Sequence, residues 1–273
     1  MKNKLGITAT AVLLALSLTA CSNNNSSQSS SQSSKARSSQ VQKKNSSSQS
    51  SAASSSSSDK DKKPSSQAPE HDRMAKLTAK LRDALPGMLL PTNDGLGTGS
   101  DHLNVRYTTE GNTNTVYYSV GNSAAEFNAD SVQNEKPFAV LKEVKNGQDS
   151  DDLINYSPEQ KGLPTVKLDS NTTATTQGAA GQKYVQWNQG NWSFVIQASS
   201  VLKQDPVKRA KEVLSLVNQY NVPQTSSKGN LHVVVGDSEG SLNTTIAWQN
   251  GKNIYQLKAH DTETALKMLS SLK

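Results

Sequence analysis

The spacing of apolar residues between positions 71 and 273 predicts three helices. Four apolar side chains recur at helical spacing over residues 71–85, and Pro86–Gly87 ends that run. Asp205–Pro206 opens a second helix that ends near Tyr220, because Asp is a favourable N-cap and Pro suits the first helical position. Asp261 takes the same capping position ahead of a third apolar helix.

Shorter runs with alternating apolar and polar residues predict strands that are mostly joined as hairpins. The predicted strands cover residues 103–108, 115–120, 137–144, 183–187, 191–196, 231–235, 243–248 and 253–258. Asn250–Gly251, between the last two, is a strong hairpin signal. Residues 146–180 are polar and rich in Thr and Gly, so we expect mostly loop there, with short strands. Strands grouped between helices favour an α+β fold, with a mainly antiparallel sheet built from hairpins and packed by about three helices.

The aromatic residues of these hairpins have two interpretations. Alternation places Trp192 on one strand face with Phe194 and Ile196, which favours core packing. Trp187 also shares its face with a valine and is core-like, but it lies at a strand end beside a turn. Exposed aromatic rings can stack on sugars or on wall peptides. If hairpin aromatics contact a ligand, Trp187 and Tyr184 are the candidate residues.

The first 21 residues have the pattern of a secretory signal peptide that ends in a lipidation site. Lys2 and Lys4 precede a mostly apolar run over residues 5–16, which is too short to span a bilayer. Leu18-Thr19-Ala20-Cys21 resembles the lipobox of bacterial lipoproteins, in which the cysteine thiol receives a diacylglyceryl group and the chain is cut just before it. We therefore expect a signal peptide over residues 1–20, cleavage between Ala20 and Cys21, and a lipid (palmitate-type) anchor on Cys21.

The next segment, residues 21–70, has the composition of a disordered tether. Serine fills 22 of the 49 positions from 22 to 70, and Val41 is the only large apolar residue there. Such a segment cannot bury enough apolar surface to offset the entropy lost on ordering. We expect a spacer between the membrane and a single globular domain over residues 71–273, with serine glycosylation as an open alternative. Two similar halves, 71–178 and 179–273, are a further alternative, since each has a helix, a proline-bearing turn and a hairpin.

Charge is distributed unevenly and argues against some partners. Residues 22–70 hold seven Lys and Arg against three Asp and Glu, whereas residues 71–273 hold twenty of each. The expected globular part is therefore neutral, and nucleic acid binding is not expected because it requires a basic face on the domain itself. The chain's one cysteine leaves none for a disulfide or a thiolate metal site.

One motif raises the possibility of catalysis. Gly236–Gly240 matches the G-x-S-x-G pattern of serine hydrolases, with Ser238 as the nucleophile. That pattern requires a strand-to-helix turn, but the residues after it have a strand pattern. The acidic residues next to Ser238 would also repel the negative charge that develops on the oxyanion during catalysis. His260 and Asp261 are nominal partners that nothing in the sequence brings near Ser238. We expect no enzyme activity, and we keep a hydrolase that uses Ser238 as the alternative.

No metal or cofactor is expected. Asp149, Asp151 and Asp152 form an acidic cluster, but the calcium loop pattern needs Gly where this chain has Ile154 and Glu where it has Gln160. The four histidines are scattered and lack the spacing of a zinc site. A solvated acidic loop is the simpler interpretation.

From about residue 90 onward the chain resembles a family of cell-envelope lipoproteins from Gram-positive bacteria of the lactic-acid type. The stretches that carry the resemblance are Tyr117–Asn122, Gly178–Gly181, Trp187–Trp192, Gln204–Pro206 and Ala265–Met268. The resemblance implies export and lipid anchoring, and it supplies no activity. We therefore expect an extracytoplasmic, membrane-anchored protein with a non-catalytic binding or accessory role in the cell envelope. A module that binds cell-wall glycan or peptide is the alternative, and an envelope protein is a further candidate partner.

Overall fold

Ten strands pair edge to edge into one sheet in the computed structural model, which describes residues 70–147, 151–223, 225, 227–236 and 240–273. The helices are α1 (Glu70–Ala84), α2 (Asp151–Ile154), α3 (Pro206–Tyr220) and α4 (Thr262–Ser270). The strands are β1 (Leu103–Glu110), β2 (Thr113–Val120), β3 (Pro137–Val144), β4 (Thr165–Lys167), β5 (Thr173–Ala179), β6 (Gln182–Gln189), β7 (Trp192–Ser199), β8 (Gly229–Val234), β9 (Thr244–Asn250) and β10 (Asn253–Ala259).

The strand order is β1-β2-β3-β10-β9-β8-β7-β6-β5-β4. Among the described residues only β7 and β8 pair in parallel, and α3 connects them. Every other neighbouring pair is antiparallel. The α+β class with a mainly antiparallel sheet, expected from the sequence, is confirmed; the sheet is large and the helical content is modest.

Helices α1, α3 and α4 pack on one face of this sheet. Their buried side chains share a single apolar cluster with alternate residues of the strands, such as Ile246 and Trp248 of β9. The expected core face of Trp192, Phe194 and Ile196 is confirmed, because all three are buried in this cluster. The short helix α2 lies on the opposite face, against Ala247 and its own small apolar cluster.

Local sequence explains where α3 and α4 begin. Oδ1 of Asp205 accepts hydrogen bonds from the backbone N–H of Val207 and of Lys208, at 2.9 and 3.2 Å. Oδ2 of Asp261 accepts one from Thr264 N–H at 3.0 Å. These bonds satisfy donors that the first helical turn leaves unpaired, as the capping pattern predicts.

Glycine is required where β8 begins beside the ring of Trp192. Gly229 pairs with Trp192 across the parallel strands, and a Cβ at Gly229 would lie 2.6 Å from the indole ring. No side chain fits that space without a shift, so the close approach depends on glycine.

Residues 146–180 are more regular than the sequence indicated, since they include α2, β4 and β5. The described residues all belong to one compact unit, Lys63–Lys273, and the suggested boundary at 178/179 falls inside β5. A division there would separate β5 from its hairpin partner β6. The signal peptide, the Ala20–Cys21 cleavage site and the tether lie outside the described residues. No described helix combines the length and apolarity needed to cross a bilayer.

Candidate functional site

Trp187 lies in β6, opposite Phe194 of β7. The two rings are stacked with centroids 4.9 Å apart and planes 7° from parallel. Only 2% of Trp187 is exposed, so it packs in the core of the helix-covered face. An open platform on which a sugar could stack therefore does not fit this position, and any contact with a ligand must come through the edge of the ring.

The indole N–H of Trp187 has no acceptor in the described part of the chain. Its Nε1 is buried and lacks a hydrogen-bond partner among the described residues. Trp192 provides the comparison, because its Nε1 donates to the carbonyl of Pro223 at 2.9 Å. A buried donor without a partner costs about 1–3 kcal/mol, so native structures rarely keep one without a reason.

Trp187 borders a cavity of about 390 Å³, which we name the Trp187 cavity. It lies between the ends of β4–β6 and the loop over residues 155–164. Most of its walls carry hydroxyl, amide or charged groups, including Glu159, Lys161, Thr165, Thr173, Gln186 and Asn188. The cavity thus brings Trp187 next to a mostly polar wall, to which the side chains of Gln186 and Asn188 contribute from the opposite face of β6.

Hydrogen bonds from the strand hold the loop beside the cavity in place. Nε2 of Gln186 donates to the carbonyls of Ser157 and Pro158, at 3.1 and 2.7 Å. Nδ2 of Asn188 donates to the same Ser157 carbonyl at 2.9 Å. These amides fix the loop against the β6–β7 hairpin, so the cavity is preformed and a ligand would not have to order its wall.

Tyr184 does not share a site with Trp187. The two residues are three positions apart in β6, so strand alternation points their side chains to opposite faces of the sheet. Tyr184 is half-buried and lines a different cavity, of about 560 Å³, beside the N-terminus of α3. The two aromatics that the sequence grouped as ligand contacts therefore belong to two separate places.

The nucleophile motif lies in a connection between antiparallel strands. Strand β8 ends at Val234, and β9 begins at Thr244, so the strand-to-helix context of a nucleophile elbow is missing. Ser238 itself lies outside the described residues. Asp261 is occupied as the cap of α4. Half-burial opposes its charge, but hydrogen bonds from Thr264 and Glu263 N–H outweigh that effect and lower the pKa of Asp261.

Among the residues that the structure describes, no three His, Cys, Asp or Glu side chains are grouped so that they could hold a metal ion. Asp149 lies outside those residues, and Asp151 begins α2. Nothing in the described geometry therefore singles out a place for calcium or another cofactor.

The sequence analysis missed a buried carboxylate. Glu143 of β3 is fully buried and accepts hydrogen bonds from Asn114, Asn253 and Tyr255. Strand alternation could have indicated this, because Glu143 continues the row of Ala139 and Leu141 on the core face. Its partners come from two other strands, β2 and β10, so the network that accommodates it is visible only in the folded chain.

No protein-family model matches the chain, and no curated protein or solved structure matches it either.

Proposed function

We propose that this chain is a lipid-anchored protein of the extracytoplasmic membrane face, and that it binds cell-wall glycan in the Trp187 cavity without catalysing a reaction. The lipobox at Leu18–Cys21 and the serine-rich segment after it support the location. A tether of that kind lets a domain sample nearby wall polymer at high effective concentration. The composition of the cavity wall supports the ligand class, because hydroxyl and amide groups suit a neutral, hydroxyl-bearing partner.

The unpaired N–H of Trp187 carries this proposal. Nε1 has almost no accessible surface, so a glycan hydroxyl or acetamido oxygen reaches it only when the cavity wall shifts; the oxygen would then accept this hydrogen bond and remove the cost of the buried unpaired donor. The net contribution of such a bond is about 1 kcal/mol, or roughly fivefold to tenfold in affinity. Gln186 and Asn188 already order the loop, so the part of that gain that is spent goes to the shift of the wall that exposes Nε1.

Wall binding can be measured by sedimenting the full chain, in detergent micelles, with purified wall sacculi. Trp187→Phe keeps an aromatic ring against Phe194 and removes the donor together with part of the indole bulk, a loss of bulk that Trp192→Phe shares, so we expect wall affinity to fall about tenfold for Trp187→Phe alone. Trp192→Phe is the matched control, because it removes an indole N–H that is already bonded to Pro223. Equal binding by wild type and Trp187→Phe would contradict the proposal.

Indole resonances in ¹⁵N spectra give a second measurement on the same chain. The sequence has three tryptophans, and Trp187→Phe identifies the Trp187 signal by its loss. We expect that signal to move when soluble wall fragments are added, while the Trp192 signal stays in place. A Trp187 signal that is unchanged at saturating fragment would indicate that an ordered water, and not a ligand, satisfies the donor.

Location is tested independently by mass spectrometry of the protein from native membranes. We expect a chain that begins at Cys21 and carries a diacylglyceryl group on that residue. An unmodified Cys21 with residues 1–20 still attached would contradict the proposed lipid anchor. It would not affect the proposal that the Trp187 cavity binds glycan.

A further inference from the structure

The large apolar residues that are exposed among the described residues all lie at the same end of the strands, with β2 and β7 five positions apart in the sheet order. They are Val120, Val201, Leu202 and Val234. Val120 ends β2, Val234 ends β8, and Val201 and Leu202 follow the end of β7. The strand register places these three strand ends on the same side, which we name the upper edge.

Val201 and Leu202 form the most exposed part of this edge, with 80% and 70% of their surface accessible. The turn that carries them is well ordered by hydrogen bonds. Ser199 N–H donates to Oε1 of Gln204 at 2.8 Å, Gln204 N–H donates to the Ser199 carbonyl at 3.2 Å, and Leu202 N–H donates to the Ser199 hydroxyl at 3.2 Å. We name this turn the 201–202 tip. Its backbone hydrogen bonds hold two neighbouring aliphatic side chains in solvent, where they are available for contact with an apolar surface.

Cationic groups flank the 201–202 tip. The cavity of about 560 Å³ beside it is lined by Lys183 and Lys203, together with Tyr184 and Gln204. Both lysines are exposed, and neither forms an ion pair with another described residue. Asp205 also lines this cavity and carries one negative charge, with its Oδ1 bonded to the two N–H groups that it caps. The two lysines therefore leave the lining with a net charge of +1, which suits an anionic group.

The chain enters the folded unit at the same edge. Arg73, in the first turn of α1, donates hydrogen bonds to the carbonyl of Leu103 and to Oδ1 of Asn104. Leu103 begins β1 and pairs with Val120, so the start of α1 lies at the upper edge. The segment that precedes α1, which the sequence predicts to run to a lipid anchor, therefore joins the domain on the side that carries the tip.

We propose that the 201–202 tip inserts into the surface of an anionic phospholipid bilayer, and that Lys183 and Lys203 hold a lipid headgroup phosphate in the cavity beside it. This inference rests on the proposed membrane location. Apolar side chains surrounded by lysines are the combination that binds anionic membrane interfaces. A convex turn with only two aliphatic residues buries little area against a rigid protein, whereas a bilayer surface closes around it.

The test measures the depth of a fluorescent label in the lipidated full chain reconstituted in vesicles. Ser200→Cys places a thiol beside the tip and leaves Val201 and Leu202 intact. Lys252→Cys, in the turn between β9 and β10, is the matched control at the opposite edge. The wild-type chain itself takes no thiol label if Cys21 is acylated, so labelling of wild type reports failure of the anchor separately from failure of the tip.

We expect the label at position 200 to shift to the blue and to be quenched by spin-labelled lipid, and the label at position 252 to do neither. Both signals should be stronger in phosphatidylcholine vesicles that contain phosphatidylglycerol than in those that lack it. Adding Val201→Ser and Leu202→Ser should reduce the quenched fraction at least tenfold, since both aliphatic side chains lose their favourable burial in the bilayer. Lys183→Ala with Lys203→Ala should remove the preference for phosphatidylglycerol.

Equal quenching at positions 200 and 252, or quenching at position 200 that survives both serine substitutions, would overturn the inference. Unchanged wall binding by the serine variant would confirm that the fold and the Trp187 cavity are intact. Self-association of the chain that depends on Val201 and Leu202 without vesicles would assign the tip to a second copy and would equally reject the membrane role.

Discussion

Tyr255 donates a hydrogen bond of 2.5 Å to Oε1 of Glu143, and both side chains are buried inside the sheet–helix core. The same oxygen accepts from Nδ2 of Asn253, and Oε2 accepts from Nδ2 of Asn114. The tyrosine oxygen in turn accepts from Leu89 N–H. Neutral donors thus satisfy a buried carboxylate, and the cost of its burial depends on each of them being in place.

We expect Tyr255→Phe to lower the free energy of unfolding by about 2–3 kcal/mol, because it leaves the Glu143 carboxylate one donor short and orphans Leu89 N–H. Glu143→Gln should cost a similar amount, since its amide group would face other donors. Urea unfolding of both single variants and the double variant measures this. We expect the double variant to lose much less unfolding free energy than the sum of the two single losses. A loss equal to that sum would show that Tyr255 and Glu143 are not coupled.

Tyr118→Phe should have the opposite consequence. Tyr118 is also buried, but its hydroxyl has no hydrogen-bond partner among the described residues. Removing an unsatisfied hydroxyl should leave stability unchanged or raise it by up to about 1 kcal/mol. The same urea experiment serves as the measurement, and a loss as large as that of Tyr255→Phe would reveal a partner for the hydroxyl.

Alkaline stability should depend on Tyr255. Burial, reinforced by the hydrogen bond to Glu143, raises the pKa of Tyr255 from 10.0 to about 12. Above pH 10 the unfolded chain therefore releases this proton while the folded chain retains it, so stability is present below pH 10 and falls as the pH rises toward 12. Unfolding free energies measured over this range should decrease less steeply for Tyr255→Phe than for wild type, and equal slopes would argue against the assignment.

His232 should make the domain less stable in mild acid. Its Nε2 is buried and has no hydrogen-bond partner within the part of the chain that the structure describes, and burial lowers the pKa of His232 below 6.5. As the pH falls through 6.5, the unfolded chain binds a proton before the folded chain does, so stability that is present above pH 6.5 is lost below it. His232→Gln should flatten the unfolding free energy between neutral pH and about pH 5. Lys258 lies two strands away on the same face of the sheet. Because wild type and His232→Gln both contain it, any effect of its charge on stability is the same in the two proteins.

Asp261 should make the stability of the domain depend on pH in a second, more acidic range. Since the folded-state pKa of Asp261 lies below 3.8, its contribution is present above pH 3.8 and is lost as the pH falls through the lowered value. Asp261→Ala should cost about 1 kcal/mol at neutral pH because α4 loses its N-cap. Asp261→Asn should keep most of that stability and lose the acid dependence. Thermal unfolding at neutral and acidic pH separates the two effects.

The sequence alone determined most of the local structure. The limits of α3, the caps at Asp205 and Asp261, and β3 were all indicated by residue type and spacing, and the structure reproduces them. These features depend on interactions within a few residues of each other, such as a cap with the next turn or the two faces of a strand. Local preference and final fold agree at these positions, so the patterns could be interpreted without knowledge of the rest of the chain.

Only the tertiary structure decided the strand order and the sites. β3 pairs with β10 across more than a hundred residues, and that pairing brings Tyr255 to Glu143. The cavity at Trp187 arises where residues 155–164 pack against β6, and the 201–202 tip becomes significant only when the other strand ends are placed beside it. Long-range pairing is selected by the burial of whole faces against the entropy of closing long loops, and no periodicity within one segment records that balance.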